Sequence, residues 1–89
     1  MAWKVEFDPA TVRDIDRLDK PVARRILSFL YERVAPLDDP RSIGQALQGS
    51  KFGEFWKYRV GDYRIISSIE NGALRILVVR IGNRREEYR

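Results

Sequence analysis

The stretch FWKYRVGDYR, residues 55–64, sets Trp56, Tyr58 and Val60 in alternation with Lys57 and Arg59, up to Gly61-Asp62. A period of two is the signature of a strand whose two faces differ. Gly-X is suited to a two-residue type II′ turn, so the chain is expected to reverse at Gly61-Asp62 and continue as YRIISSIE. Asn71-Gly72 reads as a second two-residue turn, of type I′, leading into ALRILVVRI and ending at Gly82. These residues predict a three-stranded antiparallel meander.

Two-residue turns set the register. The first turn places Val60 opposite Tyr63, Arg59 opposite Arg64 and Lys57 opposite Ile66. The second is expected to place Ser68 opposite Arg75, Ile66 opposite Leu77 and Arg64 opposite Val79. One face of the sheet then carries Trp56, Tyr58, Val60, Tyr63, Ile65, Ser67, Ile69, Leu74, Ile76 and Val78, an apolar surface for other elements to cover. The opposite face carries Phe55, Lys57, Arg59, Arg64, Ile66, Ser68, Arg75, Leu77, Val79 and Ile81, a small apolar floor bordered by cations. The aromatics of the opening stretch belong to the core, and the cations point away from it.

Upstream, AWKVEF alternates Trp3, Val5 and Phe7 with Lys4 and Glu6 and reads as a half-buried strand. Asp8 is placed as an N-cap with Pro9 at the first helical position. Val12, Ile15 and Leu18 are expected to line one side of that helix. Pro21 opens a second helix, in which Val22, Ile26, Phe29, Leu30 and Val34 form a core-facing stripe. The short link between the two helices makes them a hairpin. Residues 36–50 read as a loop pinned by Leu37, Ile43 and Leu47. The fold class expected is α+β: an N-terminal strand, a helical hairpin and a three-stranded meander, with the helices packed on one face of the sheet. The 89 residues suit one domain, spanning 1–89.

Composition narrows the chemistry. The sequence has no cysteine and no histidine. Disulfides and thiolate metal sites are excluded, which suits a reducing cytoplasm, and the commonest general base and metal ligand is absent. Nothing resembles a membrane span or a signal peptide. The net charge is +4, and all of the excess falls in residues 51–89. Such asymmetry points to a polyanionic partner. Arg59 and Arg64 as direct cross-strand neighbours repel one another. A bound anion would relieve that repulsion, as would Asp62 or Glu54. The final residues, GNRREEYR, add Arg84, Arg85, Tyr88 and Arg89: arginine grips phosphate, and tyrosine can stack on a base or handle a proton.

The order of elements, Leu47-Gln48-Gly49, the run W-K-Y-R-V-G-D-Y-R and the terminal G-N-R-R-E-E-Y-R together resemble the RelE/ParE superfamily of bacterial and archaeal toxins. The likeness covers almost the whole chain. It implies a microbial-ribonuclease-like fold lacking the usual His/Glu catalytic pair, with no metal or cofactor. The RelE branch implies a type II toxin that cleaves mRNA in the ribosomal A site, with mRNA, the ribosome and a cognate antitoxin as partners. The ParE branch implies a DNA gyrase inhibitor without nuclease chemistry. Carried over by motif, Lys57, Arg64, Arg84 and Tyr88 fall at the catalytic positions. Lys51, Arg59, Arg75 and Arg85 are expected to contact RNA. Phe55 stands where some members have a second lysine, with Lys51 upstream of it.

Overall fold

A computed structural model describes residues 3–47 and 55–83. Five strands form one sheet in the order β1-β5-β4-β3-β2, comprising Lys4–Phe7 (β1), Gln45–Ala46 (β2), Phe55–Val60 (β3), Tyr63–Glu70 (β4) and Arg75–Asn83 (β5). Helices α1 (Pro9–Asp16) and α2 (Lys20–Ser28) follow β1, and α2 continues into a π-helical turn over Phe29–Val34. This is the expected α+β architecture, enlarged at both edges. β1 joins the meander by pairing in parallel with β5, and β2 adds two residues beside β3.

Local signals explain both helices. Asp8 caps α1 by accepting a hydrogen bond from the Ala10 amide at 2.9 Å, and prolines open both helices. In α1 the buried face is shifted from the expected one. Thr11 is fully buried and donates to the Val78 carbonyl at 3.0 Å, whereas Val12 is exposed. Thr11, Ile15 and Leu18 recur at helical spacing, so turning Thr11 to the sheet turns Val12 to solvent. The stripe of α2 is as expected: Ile26, Leu30 and Val34 are buried against the sheet. Residues four apart on an α-helix drift around its axis, and the wider π turn, closed by the Ala35 amide on the Leu30 carbonyl, brings Val34 back into line.

The first hairpin has the register read from its turn, with Val60 opposite Tyr63, Arg59 opposite Arg64 and Lys57 opposite Ile66. Gly61 takes φ +58°, which a side chain would resist.

The second hairpin departs from expectation twice. First, Asn71–Ala73 form a 3-10 turn and Leu74 is left-handed at φ 49°, so Glu70 faces Arg75 and Ser68 faces Leu77. The longer turn brings the Arg75 guanidinium onto the Glu70 carboxylate at 2.7 and 2.9 Å, and Arg41 holds Asn71 at 3.0 Å. Leu74 therefore sits exposed in the turn rather than on the core face. Second, a bulge leaves Val79 without a partner: Ser67 faces Val78, but Ile66 faces Arg80. Beyond the bulge the alternation inverts. Ile81 turns into the core opposite Ile65, and Arg80 moves to the open face.

The core lies between the helices and one sheet face, and includes Trp3, Ile26, Leu30, Tyr58, Ile65, Ile76, Val78 and Ile81. Ile43 of the 36–47 stretch packs on the core as expected, and hydrogen bonds also clamp the stretch to β3. The Tyr58 hydroxyl donates to the Pro40 carbonyl at 2.6 Å, and the Trp56 indole donates to the Ile43 carbonyl at 2.7 Å. Burial pushes the Tyr58 hydroxyl well above the ordinary tyrosine range; Arg41 draws it down and Asp39 raises it, both more weakly. The group is thus a structural donor. In the unfolded chain it ionises near pH 10, so the native state holds the extra proton and stability falls as pH rises above about 10, by about 1.4 kcal/mol per pH unit. Urea unfolding from pH 8 to 11 should show this slope. Tyr58→Phe should lose that component and cost about 1–2 kcal/mol at neutral pH by leaving the Pro40 carbonyl unpaired.

Candidate anion-binding face

The sheet face turned away from the helices has two unlike ends. At one end Arg59 and Arg64 lie directly opposite each other and Gly82 follows in the same row. One step along, Lys57, Ile66 and Arg80 form the next row. Four cations thus project from adjacent rows. The side chains of Arg59 and Lys57 make no hydrogen bond or ion pair with described residues. Opposed residues of an antiparallel pair have Cα atoms about 4.5–5.5 Å apart, so the Arg59–Arg64 pair concentrates charge that an anion would neutralise.

Arg75 is elsewhere. Its row is Glu70–Arg75–Lys4, six residues of β4 away from Arg64, or about 20 Å at 3.3 Å per residue. Its guanidinium is bound by Glu70 and, at 3.4 Å, by Glu6. Hydrogen bonding and charge from Glu70, then Glu6, raise its pKa further. Arg75 therefore closes the second hairpin, and its expected contact with RNA would fall apart from the Arg59–Arg64 rows. The second-turn register misplaced it, because the sequence does not show which carboxylate an arginine meets across a longer turn.

Arg80 takes the place that reading left empty. Strict alternation along β5 points Arg80 into the core side; the bulge at Val79 reverses that. A charged residue at an apparent core position of a strand was the available signal. Lys51, Arg84, Arg85 and Tyr88 lie outside the described residues. The described part of β5 ends at Asn83, which lies opposite Tyr63.

Along the free edge of β3 this face turns into a cleft of about 410 Å³, lined by Phe29, Arg33, Ile43, Gly44, Lys57 and Arg59, among others. Gly44, at φ +84°, makes one wall. A Cβ there would fall 2.6 Å from the Lys57 carbonyl and 2.7 Å from the Trp56 indole nitrogen. The loop can approach the backbone of Lys57 this closely with glycine alone.

Fold and site together define an α+β protein with a helical hairpin on one side of a sheet and a cationic face on the other. Comparison gives the family. The family of ParE toxins of type II toxin–antitoxin systems matches residues 5–88, and the chain belongs to it. The chain is 28% identical over 87 residues to Toxin RelE of Mycobacterium tuberculosis (strain ATCC 25618 / H37Rv), an alignment covering 98% of this chain and 87% of that protein. Among solved structures, the RelBE2 toxin–antitoxin complex of the same species superposes with a TM-score of 0.83 at 19% identity, over 94% of this chain and 93% of the other. The archaeal RelE–RelB complex from Pyrococcus horikoshii gives 0.69 at 26% identity, over 94% and 97%. The resemblance read from the two arginine-rich motifs is thereby borne out, as is the α+β fold. No helix among the described residues is long and apolar enough to cross a membrane.

Proposed function

We propose that residues 1–89 act as one toxin domain: a ribosome-dependent endoribonuclease that cleaves mRNA in the A site and so stops translation. The observation that carries this reading is the grouping of Lys57, Arg59, Arg64 and Arg80 in two adjacent rows of one sheet face. RNA supplies its own nucleophile. The 2′-oxygen bonds to phosphorus as its proton leaves, the P–O5′ bond breaks, and the departing 5′-oxygen takes a proton. The products are a 2′,3′-cyclic phosphate and a 5′-hydroxyl.

In this scheme Arg59, Arg64 and Arg84 neutralise the phosphorane, where planar guanidiniums bind two oxygens at once. Lys57 and Tyr88 are the candidates for proton transfer, and Tyr88 can also stack on a base. Lys51 and Arg85 contribute phosphate contacts. The chain has no histidine, so positioning of the 2′-hydroxyl by the ribosome carries a large share of the rate. The partner outside the ribosome is a cognate antitoxin whose acidic groups cover the cationic face. The relatives' own complexes with antitoxins support this.

Membership of the ParE toxin family favours one second reading, inhibition of DNA gyrase without cleavage. Primer extension on a reporter mRNA in a translating extract separates the two. Discrete cleavages within codons, absent when ribosomes are omitted, are the expected outcome. Intact mRNA in the presence of folded protein, with loss of supercoiling by gyrase, would transfer the assignment to the second reading.

A further inference from the structure

The cleft beside Lys57 does not end at Arg59. A second cleft of about 360 Å³, lined by Arg25, Ser28, Phe29, Glu32, Arg33, Arg59, Val60 and Gly61, continues it along the edge of β3. The two share Phe29, Arg33 and Arg59, so they form one trough running from Lys57 to Gly61. β2 stops short of this stretch, having paired with Trp56 and Lys57, and no other described residues pair with the edge from Tyr58 onward. Four residues of strand make the trough about 13 Å long at 3.3 Å per residue.

Its charge is one-sided. Arg25, Arg33, Arg59 and Lys57 are set against Glu32. None of the four side chains makes a hydrogen bond or ion pair with described residues. Their placement is nonetheless built into the fold. The guanidinium of Arg25 lies beside Gly61, where a Cβ would meet its Nη1, Cζ and Nη2 at 3.4–3.9 Å. The π turn sets Phe29 and Arg33 along the trough, with Phe29 held edge-on to Tyr58 at 5.9 Å between ring centroids.

We propose that this trough is a second phosphate-binding subsite, in which Arg25 and Arg33 hold the backbone of an RNA strand beyond its scissile phosphate. The inference rests on the ribonuclease reading. An RNA backbone fits better than an acidic peptide because Lys57 and Arg59 belong both to the trough and to the face assigned to the scissile phosphate. A strand crossing the β3 edge would pass from one to the other without losing cationic contact. Phe29 offers an aromatic wall to a flanking base.

The test is binding of a short 2′-O-methyl oligoribonucleotide to the full chain across a salt series. Its blocked nucleophile prevents cleavage, so binding is read apart from chemistry. The Arg25→Gln/Arg33→Gln double variant should bind on the order of ten-fold more weakly at low salt, and its plot of log K against log salt should be shallower by about 1.4, two phosphate contacts at about 0.7 each. Arg24→Gln, on the same helix but outside the trough, should match wild type in affinity and slope. Wild-type affinity and slope in the double variant would overturn the subsite. So would a wild-type chain that leaves the oligonucleotide unbound, or one that prefers an oligoglutamate peptide through the same two arginines. None of these outcomes alters ribosome-dependent cleavage of mRNA, which is scored separately by primer extension and tests the ribonuclease reading itself.

Discussion

Arg64→Ala should abolish toxicity and lower the rate of ribosome-dependent cleavage by about 10²–10³, the cost of removing one preorganised donor from a developing negative charge. The side chain stands on the open face, opposite Arg59 and next to the Lys57–Ile66–Arg80 row, away from the packed core. Removing one of two opposed cations relieves a like-charge repulsion while losing the side chain's own contacts, so the net stability change should stay within about 1 kcal/mol. Arg64→Lys distinguishes charge from geometry: it keeps the cation but loses the planar fork, and its rate should fall between those of wild type and the alanine variant. Arg84→Ala is expected to behave like Arg64→Ala. Thermal melts alongside primer extension check both parts. A folded Arg64→Ala protein that cuts at the wild-type rate would remove this face from the mechanism.

Gly44→Ala should be the most damaging single-methyl change in the loop that walls the cleft. Its left-handed backbone costs a residue with a side chain about 1–2 kcal/mol. The added carbon would also press on the Lys57 carbonyl, the Trp56 indole nitrogen and the Tyr58 ring, all within 2.9 Å. Overpacking of this kind costs about 1–3 kcal/mol, so a total loss of about 2–5 kcal/mol is expected. The loop should relieve the clash by lifting from β3, weakening the Trp56–Ile43 bond and freeing the backbone beside Lys57. Chemical denaturation measures the stability loss. Cleavage assays below the variant's melting temperature should also show reduced activity, since the loop would no longer brace the backbone of Lys57. An unchanged denaturation midpoint would show that the loop does not brace β3.

The two arginine rows differ in how readable they were. Arg59 and Arg64 flank a two-residue turn, and nothing between them can absorb an error, so their pairing followed directly from Gly61-Asp62. Arg75 and Arg80 lie beyond a turn whose length was misread and on either side of a bulge. A turn two residues longer keeps each side chain on its face but changes its partner, which is how Arg75 came to meet Glu70. A bulge changes the face itself, which is how Ile81 and Arg80 exchanged sides. Val12 and Thr11 show the same limit on a helix: hydropathy favoured the valine, while the hydrogen bond from Thr11 to Val78 turned the threonine inward.

By itself, then, the sequence determined what depends on neighbours along the chain. The helix starts at Pro9 and Pro21, the alternation of β3, the register at Gly61-Asp62 and the two arginine-rich motifs are all settled within a few residues. Tertiary structure decided what depends on distant segments meeting: β1 alongside β5, the loop clamped to β3 through Tyr58 and Trp56, the carboxylates around Arg75, and the trough between the π turn and the β3 edge. Local preference is written in spacing and turn chemistry. Contacts across dozens of residues are selected by packing and charge pairing that no single segment carries.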